Sequence, residues 1–167
     1  MRAALSPVAR SFGNPLDLVE EIVIGHNWEF NRRGPDEMLA EVPGRWSTYS
    51  LFFAWSDELQ AMHLSSTLDI RVPERRRPVV CELLANVNER MWLGHFILWA
   101  EESMPMFRHS VLARDAAAIS QEHLASLVDI AITECERFYP AFQFVIWGGK
   151  DPEEAVTAAM LDTVGEA

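Results

Sequence analysis

Three runs of alternating apolar and polar residues constrain this chain more than any other feature. Residues 37–42 put Met38, Ala40 and Val42 on one side. Residues 46–55 do the same with Tyr49, Leu51, Phe53 and Trp55, and residues 59–70 with Met62, Leu64, Leu68 and Ile70. Successive side chains of a strand point to opposite faces, so this period marks strands with one buried face. Pro43-Gly44 and Ser56-Asp57-Glu58 separate the runs and supply turns. The three therefore form an antiparallel meander. Even-length loops centred on Pro43-Gly44 and Asp57-Glu58 predict Met38 opposite Tyr49, Phe53 opposite Met62 and Leu51 opposite Leu64. A slip of one residue would set Phe53 against a residue of the polar face, so the pattern decides which face is buried.

Helical signals surround the meander. Asn14-Pro15-Leu16-Asp17 predicts a cap, a proline suited to the first turn and a capping-box acid, with Leu16, Val19 and Val23 as the stripe and Gly25 as the stop. Val80, Leu83, Leu84, Val87 and Met91 predict a second helix over 75–90, with Pro78 in its first turn. A second hairpin follows, 94–101 and 104–112, apolar on both faces. One side has His95, Ile97 and Trp99, and the other Phe96, Leu98 and Ala100. Such a hairpin needs cover on both sides, from helices or from another chain. Ser120 caps a long third helix that Pro140 should end or kink near Tyr139. Gly148-Gly149 closes that region, and Asp151-Pro152-Glu153-Glu154 starts a short last helix. The expected architecture is an α+β domain with a five-stranded antiparallel sheet, in the order α-β-β-β-α-β-β-α before that last short helix. Residues 1–13 and 161–167 are expected as flexible tails around a single domain over 14–160.

With 14 Lys and Arg against 25 Asp and Glu, the net charge is −11, which repels phosphate backbones and argues against nucleic acid as a partner. Arg71, Arg75, Arg76 and Arg77 form the one basic cluster, too short to reverse that field but able to hold an anion or an acidic peptide. No run of about 18 apolar residues predicts a membrane span, and the first dozen residues lack the apolar stretch of a signal peptide. Cys81 and Cys135 lie in helical patterns without metal spacing, and are expected as buried free thiols in a reducing, cytoplasmic setting.

Few patterns carry chemistry. The five histidines, His26, His63, His95, His109 and His123, show no short spacing of the kind a zinc site uses. A three-residue loop in the second hairpin would set His95 opposite His109. Adjacent acids such as Glu20-Glu21, Glu101-Glu102 and Glu153-Glu154 point apart and make no acid–base pair. There is no G-x-S-x-G elbow, P-loop or G-x-G-x-x-G. No catalytic residue, cofactor or metal site is expected. Six tryptophans are many for this length, and most belong to the core. Trp92, Trp99 and Phe107, at the doubly apolar hairpin, are the candidate contacts for a partner or a second copy.

The segment from Arg45 to Gly149 resembles the YbjN-like family, bacterial proteins classed as sensory transduction regulators. The matching stretches are Gly44-Arg45-Trp46 leading into Tyr49-Ser50-Leu51, Val72-Pro73 with the arginine run, and Asn88-Glu89-Arg90 followed by Leu93-Gly94-His95-Phe96. Phe107-Arg108, Tyr139-Pro140 with Gly148, and Pro152-Glu153-Glu154-Ala155 complete them. The resemblance implies a fold like that of type III secretion chaperones, a five-stranded antiparallel sheet backed by helices and commonly paired as dimers. It implies no catalytic residues. The expected function is a non-enzymatic, dimeric adaptor that holds a peptide or protein partner on apolar sheet surface. The alternative is an enzyme or small-ligand binder with His95, His109 and Arg108 around a pocket.

Overall fold

The computed structural model describes residues 14–113 and 119–164. The expected tail over 1–13 lies outside these residues, as do 165–167 of the other tail. Helix α1 (Pro15–Gly25) leads into β1 (Glu29–Arg32), β2 (Glu37–Pro43), β3 (Thr48–Ser56) and β4 (Ala61–Thr67). A 3-10 turn (Glu74–Arg76) opens α2 (Arg77–Glu89), followed by β5 (His95–Trp99), β6 (Met104–Leu112), α3 (Gln121–Ile146) and α4 (Pro152–Val164). The sheet is antiparallel throughout, in the order β1-β2-β3-β4-β6-β5.

It has six strands, not five. The extra one, β1, is four residues long, mostly exposed and polar, so it has no alternation to betray it. Backbone pairing with β2 and an anchor on α1 define it. Arg32 donates to Asp17 at 2.7 Å and to Glu20 at 3.0 Å. Asp17 is thus drawn to β1 and its side chain does not close a capping box. Asn14 caps α1 as expected, accepting from the Leu16 N–H. The left-handed residue after α1 is Asn27 rather than Gly25, with Trp28 N–H returning to the Val23 carbonyl.

The meander buries the faces read from its alternation, but its register differs. Met38 pairs with Phe53, Phe53 with Leu64 and Leu51 with Ser66. The displacements are even, so no side chain changes face. The loops between Pro43 and Thr48, Ser56 and Ala61, and Trp99 and Met104 each hold four residues. Two of them end in a left-handed Gln60 or Ser103, residue types that do not advertise that conformation. The four-residue loop also sets His95 opposite Arg108, not His109.

Helices α1 and α3 pack on one face of the sheet, α2 lies along its β5 edge, and α4 packs on α3 and α2. The Phe96 ring meets Phe107, Phe138 and Phe142 at centroid distances of 5.6, 6.1 and 5.5 Å. Phe107 is therefore wholly buried in the chain's own core and is not a surface for a partner. Pro140 neither ends nor interrupts α3, which runs on to Ile146 because Ala141, Phe142, Val145 and Ile146 are all buried beyond it. Helix α4 continues to Val164, past residue 160 where the tail was expected. Of the two thiols expected to be buried, Cys81 is exposed on α2. Cys135 is buried, and burial pushes its thiol up to about 12.

Gly94 joins α2 to β5 with φ +71°, and a Cβ there would overlap the Phe107 ring. Gly94→Ala should combine a left-handed penalty of roughly 1–2 kcal/mol with displacement of a core aromatic. Urea denaturation should show a loss of at least about 2 kcal/mol. A change within about 0.5 kcal/mol, the scale of ordinary surface substitutions, would contradict this packing.

Candidate functional site

The helices cover one sheet face, and among the described residues no element packs on the other. Register lays the open face out in cross-strand rows. One row reads Asn31, Leu39, Phe52, Ser65, Arg108, His95 from β1 to β5. The next reads Glu29, Glu41, Ser50, Thr67, Met106, Ile97. Twist and coiling of the sheet make these rows a shallow groove of about 530 Å3. Leu39, Phe52, Ile97, Trp99 and Met106 line it half-buried, around Ser50, Thr67 and the buried Ser65. The volume falls within the roughly 300–1,000 Å3 of small-molecule and cofactor sites.

Charge is unevenly placed on this face. Glu29, Glu37 and Glu41 belong to β1 and β2, and Ser50 Oγ donates to Glu41 at 2.9 Å. Arg33 lines the groove at the same end. His63, Arg108 and His95 belong to β4, β6 and β5. Arg108 Nε–H donates to His63 Nε2 at 3.4 Å, and His63 Nδ1 lies 2.8 Å from Ser110 Oγ. Since Nε2 accepts, the proton of the neutral ring sits on Nδ1, which donates to Ser110. Burial, then the Arg108 charge, then His95 and His109 hold His63 below its ordinary value.

A serine beside a histidine invites comparison with a nucleophile and its base. The electrostatics oppose that role, because a general base must become a cation and Arg108 penalises the cation here. Nor does the trio His95, His109 and Arg108 assemble. His109 pairs with Leu64 on the helix-covered face, its Nδ1 buried without a hydrogen-bond partner. Arg108 contacts a histidine and no carboxylate among the described residues. Trp99 lines the groove, whereas Trp92 is 99% exposed just beyond α2. Of the basic cluster, Arg71 pairs with Glu102 at 3.0 Å. No group of three metal-ligating side chains occurs among the described residues. No helix there is long and apolar enough to cross a membrane.

Asn88 blocks the β5 edge of the sheet at Phe96. Its side chain donates to the Phe96 carbonyl at 3.0 Å and accepts from the Phe96 N–H at 2.7 Å. Both outward backbone groups of that residue are thereby used, as a neighbouring strand would use them. The sequence marks Asn88 as able to bond backbone near a helix end, but gives no sign that the backbone belongs to β5. His63 and Phe52 were likewise hidden, since the sequence offers no register for β4 against β6.

The depressed His63 and His109 set a pH dependence. As pH falls below about 6.5 the unfolded chain takes up protons at both positions, and the folded chain does so only at lower pH. Stability should fall through that window and level off below the folded values. His63→Asn should lose less stability than the unsubstituted protein between about pH 7.5 and 5.5. Equal losses in parallel urea titrations would contradict the assignment.

The family model described as "Putative bacterial sensory transduction regulator", YbjN, matches residues 15–144. The crystal structure of YbjN from E. coli, described as a putative transcription regulator, is similar at a TM-score of 0.51 and 13% identity. That match covers 71% of this chain and 84% of the other. A chain of the ExsC–ExsE complex gives a TM-score of 0.39 at 15% identity, covering 69% of this chain and 86% of that one. No curated protein matches this sequence. With its sheet, α1, α2 and most of α3 inside the matched segment, the chain belongs to the YbjN family.

Proposed function

We propose that this chain is a non-catalytic binding module that holds a segment of a protein partner in the groove of its open sheet face. The observation that carries the reading is the one-sided cover of the sheet. Leu39, Phe52, Ile97, Trp99 and Met106 share an uncovered face with enough relief to half-bury each of them. Apolar side chains gathered in a concavity around a few polar groups are the usual lining of a binding site. The regulator description of the family fits a module acting through protein contacts.

Groove burial is favoured over strand addition. A strand-adding partner needs free N–H and C=O groups on a sheet edge. Asn88 occupies those of Phe96, and at the opposite edge β1 is four residues long and polar. Both edges carry features that discourage edge pairing.

The expected pairing of two copies stays part of this reading. It is assigned to the exposed Trp92 with its neighbour Leu93, away from the buried Phe107. Light scattering should return twice the 19.0 kDa chain mass, and Trp92→Glu should return it to one. A monomer at micromolar concentration would remove the dimer without touching the groove.

The groove is tested by selecting peptides from a random 12-residue phage library on the immobilised protein. Selected peptides should bind with micromolar affinity in fluorescence anisotropy and weaken at least about tenfold, or 1.4 kcal/mol, in Phe52→Asp. Phe52 is half-buried on the uncovered face, so this variant should keep its thermal unfolding transition. Peptides indifferent to Phe52→Asp and to Trp99→Ala, or no peptides at all, would contradict the proposal.

A further inference from the structure

The chemistry of the groove narrows what the partner segment carries. Among the described residues Arg32, Arg71 and Arg137 each face a carboxylate. Arg33, which also lines the groove, is exposed to water, and Arg108 differs from all of these. It lies half-buried in the groove, between Ser65 and His95 on its cross-strand row, and its hydrogen-bond partner is a neutral imidazole. That contact uses Nε–H alone. A guanidinium has five N–H donors, and half-buried charge is stabilised by a partner that takes several of them.

The local surroundings favour an anion at this point and disfavour a cation. His63 and Ser110 stand on one side and His95 on the other, while the acids of the face, Glu29, Glu37 and Glu41, belong to β1 and β2. Phe52, Ile97 and Met106 flank the position with apolar surface. An acid that docks here would be partly withdrawn from water, where paired hydrogen bonds to a guanidinium strengthen.

Resting on the groove reading above, we infer that the bound segment carries an Asp or Glu set between apolar side chains, and that the Arg108 guanidinium receives that carboxylate. The apolar neighbours fill the surface around Phe52 and Met106. The acid fixes register because Arg108 is half-buried among apolar side chains, whereas Arg33, at the end that carries Glu29, Glu37 and Glu41, is exposed and its charge is met by water. Specificity of this kind comes from one charge pair within an otherwise permissive apolar contact.

The probes are the groove-dependent peptides selected above, each paired with a copy in which its acid is replaced by the amide. The unsubstituted protein should prefer the acidic copy by at least about tenfold, on the scale of a charge-assisted hydrogen-bonded pair. In Arg108→Gln the two copies should bind alike. Arg108→Lys, which keeps the charge and loses the fork, should retain a smaller preference. Thermal melts of both variants confirm that they fold. Binding of the acidic peptide should also raise the His63 pKa, read by ring NMR, because the carboxylate offsets the Arg108 charge. Groove-dependent peptides that lack acids, or that bind equally well as amides, would overturn this inference and leave the groove reading standing. Absence of any groove-dependent peptide would overturn both.

Discussion

Phe96 is the residue on which the rest of this structure turns. Its ring fills the space between Phe107 on the adjacent strand and Phe138 and Phe142 on α3. Its backbone N–H and C=O are taken by the Asn88 side chain at the end of α2. One residue thus ties the edge strand to both helices it touches. Gly94 makes the geometry possible, since its left-handed backbone and missing Cβ let the chain pass over the Phe107 ring into β5. A buried phenylalanine of this kind is worth about 3–5 kcal/mol against alanine, a large share of what holds a domain together. The same contact blocks that edge at Phe96, where another chain could pair.

With that edge blocked at Phe96, the open face is the surface proposed to receive a partner segment. The helices satisfy one side of the sheet, where Tyr49, Leu51, Phe53, Met62 and Leu64 are buried. On the other side the apolar residues belong to β2, β3, β5 and β6, and β4 contributes Ser65, Thr67 and His63 between them. A polar strip between apolar flanks suits an extended segment better than a flat protein surface, because its backbone can bond the strip while its side chains fill the flanks. Arg108 breaks the symmetry of the strip by setting a positive charge on its β6 flank, opposite Ser65. Its partner His63 stays neutral, so Arg108 is the half-buried cation of the site near neutral pH, while Arg33 across the face is exposed.

Much of the fold was legible in the sequence. The alternation of 37–42 and 46–55 fixed which side chains are buried, because a period of two survives any even shift in register. It did not fix the register, since the turns are four residues long and end in Gln60 and Ser103 rather than in glycine or asparagine. Strand β1 was invisible because nothing on it alternates, and its existence depends on Arg32 reaching back to α1. Pro140 was misleading for a related reason: a strong local breaker is overridden where the helix beyond it buries Ala141, Phe142, Val145 and Ile146. Of the candidate contacts, Trp99 does line the open face. Phe107 belongs to the core, as the pairing with Phe96 decides. The pairing of Arg108 with His63 joins β6 to β4, and no local pattern encodes a contact between positions so distant in the chain.

The proposed partner segment enters the open groove and leaves the β5 edge blocked at Phe96. Backbone and side-chain amide NMR of the labelled protein, titrated with a groove-selected peptide, tests it most directly. Shifts should concentrate at Leu39, Phe52, Ser65, Ile97 and Met106, with the Asn88 side-chain amide unmoved. Shifts on α1 and α3, or release of the Asn88 amide with new protection along β5, would contradict it.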